Sequence, residues 1–424
     1  MTPGRRPGKT ISEKILSRKS GVDAYAGDVV ICELDYALGT DASTPMAIDY
    51  FHDMGSDSVS HPERIAFALD HYAPPTNAKI AAFHDRMRAF ARTHGVHLWR
   101  MGDGIGLQLM MESGRCLAGG LVIGADSHST MFGALNTFGT GVGSSDLAAA
   151  MICGQVWLRV PETTKVWLEG SLPNGVYAKD IVLALVGRLG QEGANYQTLE
   201  FLGPAAAAMS IEERMVLSNM SVEMGAKAGI LLADHRTRAY LEPRTSAAFT
   251  PVQPDGDARY AREIIIDVST LEPQIARPHE PDNVVALRAT AGTPVDMVFI
   301  GTCTGGRVSD FHQVLGEIDA GGGIAPSVML VLTPASREVY LEITRDGTLE
   351  KLTRMGAVIT TPGCGACCGT TGVIPGDGMT IVSTANRNFK ARMGNATASI
   401  YLASPAACAA AAVTGVLTSP RVRI

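Results

Sequence analysis

Six short apolar runs, five of them followed at once by residues capable of chemistry, constrain this chain more than any other feature. The runs cover 65–69, 121–124, 297–301, 328–332, 357–360 and 379–383, and helical patterns separate them. That alternation predicts an α/β fold with largely parallel sheets. Immediately after the runs stand Asp70-His71, Asp126-Ser127-His128, Cys303, Cys364 with Cys367, and Asn386-Arg387. In open α/β sheets a ligand sits beyond the carboxyl ends of the strands, so five such endings predict one convergent site.

The chain has 424 residues, 46% hydrophobic and 18% charged, which is enough for two to three domains and too apolar for a disordered protein. Domain boundaries are expected near residues 160 and 285, giving units 1–160, 161–285 and 286–424. Polar, proline-containing stretches at 242–257 and 272–283 read as linkers. A capping-box pattern from Thr10 to Glu13, with Gly21 as a stop, predicts an opening helix. The net charge of −6 argues against a nucleic-acid partner, because such binding draws on clustered Lys and Arg. The first twenty residues lack the apolar core of a secretory signal, and the apolar run 406–417 is too short to cross a bilayer. A cytoplasmic protein with no membrane partner is expected.

Eight cysteines stand at 32, 116, 153, 303, 364, 367, 368 and 408. Most are scattered, so a disulfide framework is not expected, and the cluster at 364–368 asks for metal or redox chemistry. A structural zinc wants four ligands, usually two Cys-x-x-Cys pairs, and a second pair is missing. Three thiolates would suit an iron–sulfur cube that keeps one iron open as a Lewis acid. On the cysteines alone, a redox dithiol or buried apolar cysteines remain equal alternatives.

Asp70-His71 and Asp126-Ser127-His128 set a carboxylate near an imidazole, which raises the imidazole pKa and orients the ring. Adjacent side chains on extended backbone point opposite ways, so contact within Asp70-His71 is not required. Asn219 and Glu223 lie four apart, on one face of a helix opened by the capping box Ser210 to Glu213. Arg387 and Arg392 follow a strand, and two guanidinium forks suit a di- or tricarboxylate. Taken singly, these are a satisfied loop pair, a polar exception in a helix core and two solvated arginines.

Taken in order, the segments TISEKILSRKSG, LDHYAPPTN, GADSHST, NMSVEMGAKAG, IGTCTGGR, PGCGACCG, STANRNFKARMG and SPAACAAAAVTG resemble the aconitase superfamily. The resemblance is nearest to the large subunits of two-subunit isopropylmalate isomerases and homoaconitases, and it runs over nearly the whole chain. It implies three α/β domains around a [4Fe-4S] cluster with three cysteine ligands, Cys303, Cys364 and Cys367, and one open iron. A fourth, swivelling domain, either fused or supplied as a separate small subunit, is not among these 424 residues. Asp70-His71 would then protonate a departing hydroxyl, and Asp126, Ser127 and His128 would order substrate and water. Glu223 would partner that histidine, with Asn219 in the same segment. Arg387 and Arg392, next to Asn386, would bind carboxylates, and the catalytic base would come from the swivel domain. Two positions depart from the family pattern: Leu107 replaces a histidine expected to pair with Asp126, and Thr40 replaces a His or Gln on the substrate side. Cys368 falls outside the ligand pattern. The expected activity is dehydration or isomerisation of a 2- or 3-hydroxy dicarboxylate or tricarboxylate. The rivals are an iron-sensing descendant without catalysis and a zinc or dithiol redox protein.

Overall fold

The structure, a computed structural model, describes residues 7–421. The opening helix Ile11–Ser20 starts as its sequence predicts. Thr10 N–H donates to the Glu13 carboxylate at 2.8 Å, Glu13 N–H donates to Thr10 Oγ1 at 3.3 Å, and Gly21 ends the helix at φ 71°.

A five-stranded parallel sheet runs in the order His97–Trp99, Ile65–Ala68, Tyr36–Thr40, Leu121–Gly124, Phe138–Gly141. Its strands Ile65–Ala68 and Leu121–Gly124 are continuously apolar and buried on both faces, as helix-covered parallel strands must be. The strand order reverses between Tyr36–Thr40 and Leu121–Gly124, which opens a crevice beyond their carboxyl ends. Asp41 and Asp126 leave the sheet on either side of that crevice, and Ser43 Oγ stitches its base by donating to the Ala125 carbonyl at 2.8 Å.

The seven-stranded sheet repeats the device. Its order is Val284–Ala286, Gln274–Ala276, Ser399–Leu402, Thr380–Ser383, Met297–Gly301, Met329–Thr333, Val358–Ile359, parallel from Ser399–Leu402 onward. Here the reversal lies between Met297–Gly301 and Thr380–Ser383, so Cys303 and the segment from Thr384 to Arg387 emerge side by side. Gly301 N–H donates to Thr384 Oγ1 at 2.9 Å and locks the two endings together.

A four-stranded parallel sheet, Ala228–Leu231, Thr198–Leu202, Thr163–Glu169, Arg262–Asp267, is fronted by the helices Ala178–Leu189 and Ile211–Met220. The strands Val29–Glu33 and Gln155–Arg159 pair as an antiparallel ribbon. The apolar run near the C-terminus forms the helix Pro405–Thr414, buried along nearly all its length as core. Among the described residues no helix is long and apolar enough to cross a membrane.

Three details differ from the sequence reading. The stretch 272–283 is not only a linker: its Gln274–Ala276 forms a three-residue strand inside the largest sheet, too short between its flanking prolines to show a period. The helix carrying Asn219 ends at Met220, and Glu223 sits in the 3-10 turn Ser221–Met224, where Ser221 Oγ caps back onto the Leu217 carbonyl at 3.0 Å. The third difference, contact between Asp70 and His71, concerns the site.

Candidate active site

His71 is held from three directions. Its Nδ1 lies 2.8 Å from Asp70 Oδ1, its Nε2 lies 3.4 Å from Asp126 Oδ2, and its backbone N–H donates to Asp41 Oδ1 at 2.9 Å. Asp70 is itself fixed, because its second oxygen accepts the Gly106 N–H at 2.7 Å. The two neighbours meet because the chain leaves the strand in a turn rather than continuing extended, so the alternation argument does not apply. Asp41 also accepts from Tyr72 N–H at 3.1 Å and pairs with His84 Nε2 at 2.8 Å.

From Asp126 the contacts continue. Asp126 Oδ1 accepts the His128 backbone N–H at 2.8 Å, His128 Nε2 meets Glu223 Oε1 at 2.7 Å, and Glu223 accepts Arg387 Nε at 2.9 Å. Asp70, His71, Asp126, His128, Glu223 and Arg387 thus form one line of alternating acid and base, drawn from three sheets. Alternation keeps each buried charge next to its opposite. Burial pushes against an ionised Asp126, yet hydrogen bonds from His128 and His71 hold it well below the usual carboxylate range. Burial also works against a charged His71, but the carboxylates of Asp70 and Asp126 prevail and raise it well above the ordinary imidazole value. His128 is raised by Asp126 and Glu223 against burial and Arg387, and Glu223 is lowered, against burial, by His128 and Arg387.

The thiols lie against this line. Cys303, Cys364 and Cys367 are 7%, 8% and 2% exposed, so their sulfurs are nearly out of water. Asn386 joins them: its Nδ2 lies 3.4 Å from Cys303 Sγ and 3.2 Å from Asn219 Oδ1, and its Oδ1 lies 3.8 Å from Cys367 Sγ. Arg392 Nη2 reaches Cys367 Sγ at 3.6 Å, while its Nε is buried without a partner. The Cys364 N–H donates to the Asp70 carbonyl at 2.9 Å, which ties the cysteine turn to the His71 loop. Two backbone conformations set the sulfurs: Thr302 turns the chain into Cys303 at φ 72°, and Gly365 stands at φ 61°, where a Cβ would meet Thr333 Oγ1 at 2.5 Å.

These donors fit a multi-iron cluster better than one ion. Tetrahedral zinc, with Zn–S near 2.3 Å, brings sulfurs within about 3.8 Å of each other. Among the described residues no three cysteine sulfurs lie within 4.8 Å of one another. Buried thiols and donors aimed at sulfur suit a cluster held at three corners.

Cys368 stands apart from this set. Its sulfur lies 3.8 Å from Cys364 Sγ and 2.9 Å from Thr370 Oγ1, and Thr370 donates to the His71 carbonyl. Thr40 is buried and its hydroxyl meets Ser43 Oγ at 3.2 Å, one residue before the carboxylate that touches His71. Leu107 is enclosed in an apolar cluster with Leu38, Met131 and Cys303, and Asp126 takes its imidazole partners from His71 and His128 instead. Ser127 is exposed and, with Asp126, lines a cavity of about 620 Å³ that also reaches Tyr196 and Lys227. Sequence reasoning missed Asp41, His84 and the Gly106 amide, which have no local signature because their partners lie tens of residues away.

The Aconitase family profile (aconitate hydratase) matches residues 13–415. The chain is 44% identical over 415 residues to the 3-isopropylmalate dehydratase large subunit 1 of Methanopyrus kandleri, covering 98% of this chain and 99% of that one. It is 42% identical to the homoaconitase large subunit of Thermus thermophilus, covering 97% of each chain. The solved structure of Thermococcus kodakaraensis aconitase X in its holo-form shares the fold at a TM-score of 0.51 with 12% identity, over 89% of each chain. A profile match across nearly the whole length and relatives above 40% identity leave one conclusion: the chain belongs to the aconitase family of hydro-lyases.

Proposed function

We propose that this chain is the large, cluster-bearing subunit of a hydro-lyase that removes water from a 2- or 3-hydroxy dicarboxylate or tricarboxylate, such as isopropylmalate or a homologue. The observation that carries the reading is His71, held between two carboxylates and tied through Asp70 to the cysteine turn. A separate small subunit completes the site, a reading supported by the printed names of the relatives, each a large subunit.

Asp70 accepts from Nδ1 and so fixes the tautomer and tilt of His71, leaving the Nε2 proton facing Asp126 and the departing hydroxyl. A [4Fe-4S] cluster on Cys303, Cys364 and Cys367 would supply an open iron as Lewis acid for the hydroxyl and a carboxylate. Arg387 is tied to Glu223 through Nε, which leaves its two Nη groups for a substrate carboxylate, and Arg392 serves a second one. Ser127 and Asn219 with Asn386 line the remaining polar walls. The proton on the adjacent carbon is removed by the small subunit.

The test is anaerobic reconstitution with iron and sulfide, addition of the small subunit, and assay of alkene formation across malate-type acids. Wild-type protein is expected to dehydrate at least one of them. His71→Asn is expected to keep the cluster's visible absorbance and lose about 10²–10⁴ in kcat. A full cluster with no alkene from any acid, or an active His71→Asn protein, overturns the reading.

A further inference from the structure

Lys179 carries a buried cation that the mechanism above does not use. It lies in the first turn of the helix Ala178–Leu189, within the apolar sequence AKDIVLALVG, and is 2% exposed. Its ammonium donates to two backbone carbonyls across the molecule, Thr384 at 2.9 Å and Ala385 at 2.7 Å. Among the described residues no carboxylate lies within 4.0 Å of it, and the neighbouring Asp180 is turned toward the backbone amides of Tyr177 and Gln274. A buried, unpaired ammonium is costly, and two neutral carbonyls recover only part of that cost.

The groups of negative character that face it say what it serves. Those that act on its charge are the sulfurs of Cys408, Cys303 and Cys367, then Glu223, and Lys179 in turn acts on Asp310. The carbonyls it grips belong to the two residues just before Asn386, the amide that touches both Cys303 and Cys367. Its helix follows the strand Thr163–Glu169 of the four-stranded sheet, whereas the thiols follow strands of the seven-stranded one. A single side chain therefore pins the Asn386 segment with a positive charge held on the carbonyl next to Asn386.

We propose that Lys179 is the fixed counter-charge of the thiolate site, a positioning residue that stabilises the anionic cluster and raises its reduction potential. The inference rests on the cluster reading above. Three thiolates on an iron–sulfur core leave it net negative, and a cation held at close range in a medium of low dielectric favours both the thiolate form and an added electron. Burial pushes Lys179 itself down to about 8, which still leaves it mainly charged at neutral pH, and nearby thiolates oppose that fall.

The test compares reconstituted wild-type protein with Lys179→Met, which keeps the length and loses the charge, and Lys179→Arg, which keeps the charge. Three readings are taken: iron release to a chelator, the cluster midpoint potential, and thermal unfolding of the cluster-free protein. Lys179→Met is expected to release iron about tenfold faster or more and to shift the potential negative. Its cluster-free form is expected to unfold within a few degrees of wild type, because a costly buried charge has been removed. Lys179→Arg is expected to lie nearer wild type in potential. If Lys179→Met binds its cluster as tightly and at the same potential as wild type, the inference falls while the cluster reading stands. If the two variants lose iron equally fast and both cluster-free forms are destabilised, Lys179 is only a hydrogen-bonding strut and the inference falls as well. If wild-type protein assembles no cluster, the functional reading fails and takes this inference with it.

Discussion

At the scale of residues, the proposed acid chemistry rests on one imidazole. His71 sits between Asp70 and Asp126, which raise its pKa although burial would lower it. A raised folded value contributes stability that is fully present below the unfolded imidazole pKa of about 6.5 and is lost as pH rises through the folded value. The acid form therefore persists through neutral pH, and loss of this acid is expected to set the alkaline limb of the activity profile. Replacing Asp126 by Asn removes one of the two supports. The alkaline limb of the kcat/KM profile for Asp126→Asn is expected to move to lower pH, measured with the small subunit present. An unmoved limb would mean that another group sets it. Asp70 and His71 were legible as candidates from their position after a strand, but their mutual contact was not: it depends on a turn whose second anchor, Gly106, lies 36 residues onward.

At the scale of elements, the strand endings carry the site. The sequence announces them because a parallel strand is a continuous apolar run, and the first polar residue after it marks the carboxyl end. Asp70 and Asp126 are those first polar residues, while Cys303, Cys364 and Asn386 come one to a few residues later, after Thr302, Thr360 and Thr384. Glu223 follows no such ending, since it enters through a 3-10 turn before a strand, and only its spacing from Asn219 drew attention to it. The 3-10 helix Ser127–Leu135, which presents His128, packs so closely on the strand Ala228–Leu231 that a Cβ on Gly133 would strike the Gly229 carbonyl. Backbone on both sides leaves little room to relax, so Gly133→Ala is expected to cost about 3 kcal/mol or more in chemical denaturation. A loss below about 1 kcal/mol would show that this crossing yields.

At the scale of the whole molecule, three largely parallel sheets meet, and none holds the site alone. Two of them turn their order-reversal crevices toward it, and the four-stranded sheet contributes Glu223 and Lys179 from its helical face. This convergence could not be read from local pattern, because the contacts that close the site join distant segments: His71 with Asp126 across two endings of the five-stranded sheet, His128 with Glu223 between the five- and four-stranded sheets, and Arg387 with Glu223 between the seven- and four-stranded sheets. What the sequence supplied was the set of endings; their meeting is a property of packing. The mild overall charge fits the proposed function, in which a small anionic ligand would be met by a few aimed groups rather than by a basic surface.

The central claim is that three thiols leave one iron open to a hydroxy acid, although a fourth sulfur, Cys368, lies 3.8 Å from Cys364. Electron paramagnetic resonance of the reduced, reconstituted protein, recorded before and after addition of isopropylmalate, tests this directly. The account predicts a cluster signal whose g-values shift when the acid is added. A cluster signal that the acid leaves unchanged, and that begins to respond only in Cys368→Leu, would contradict it by showing the fourth iron already closed.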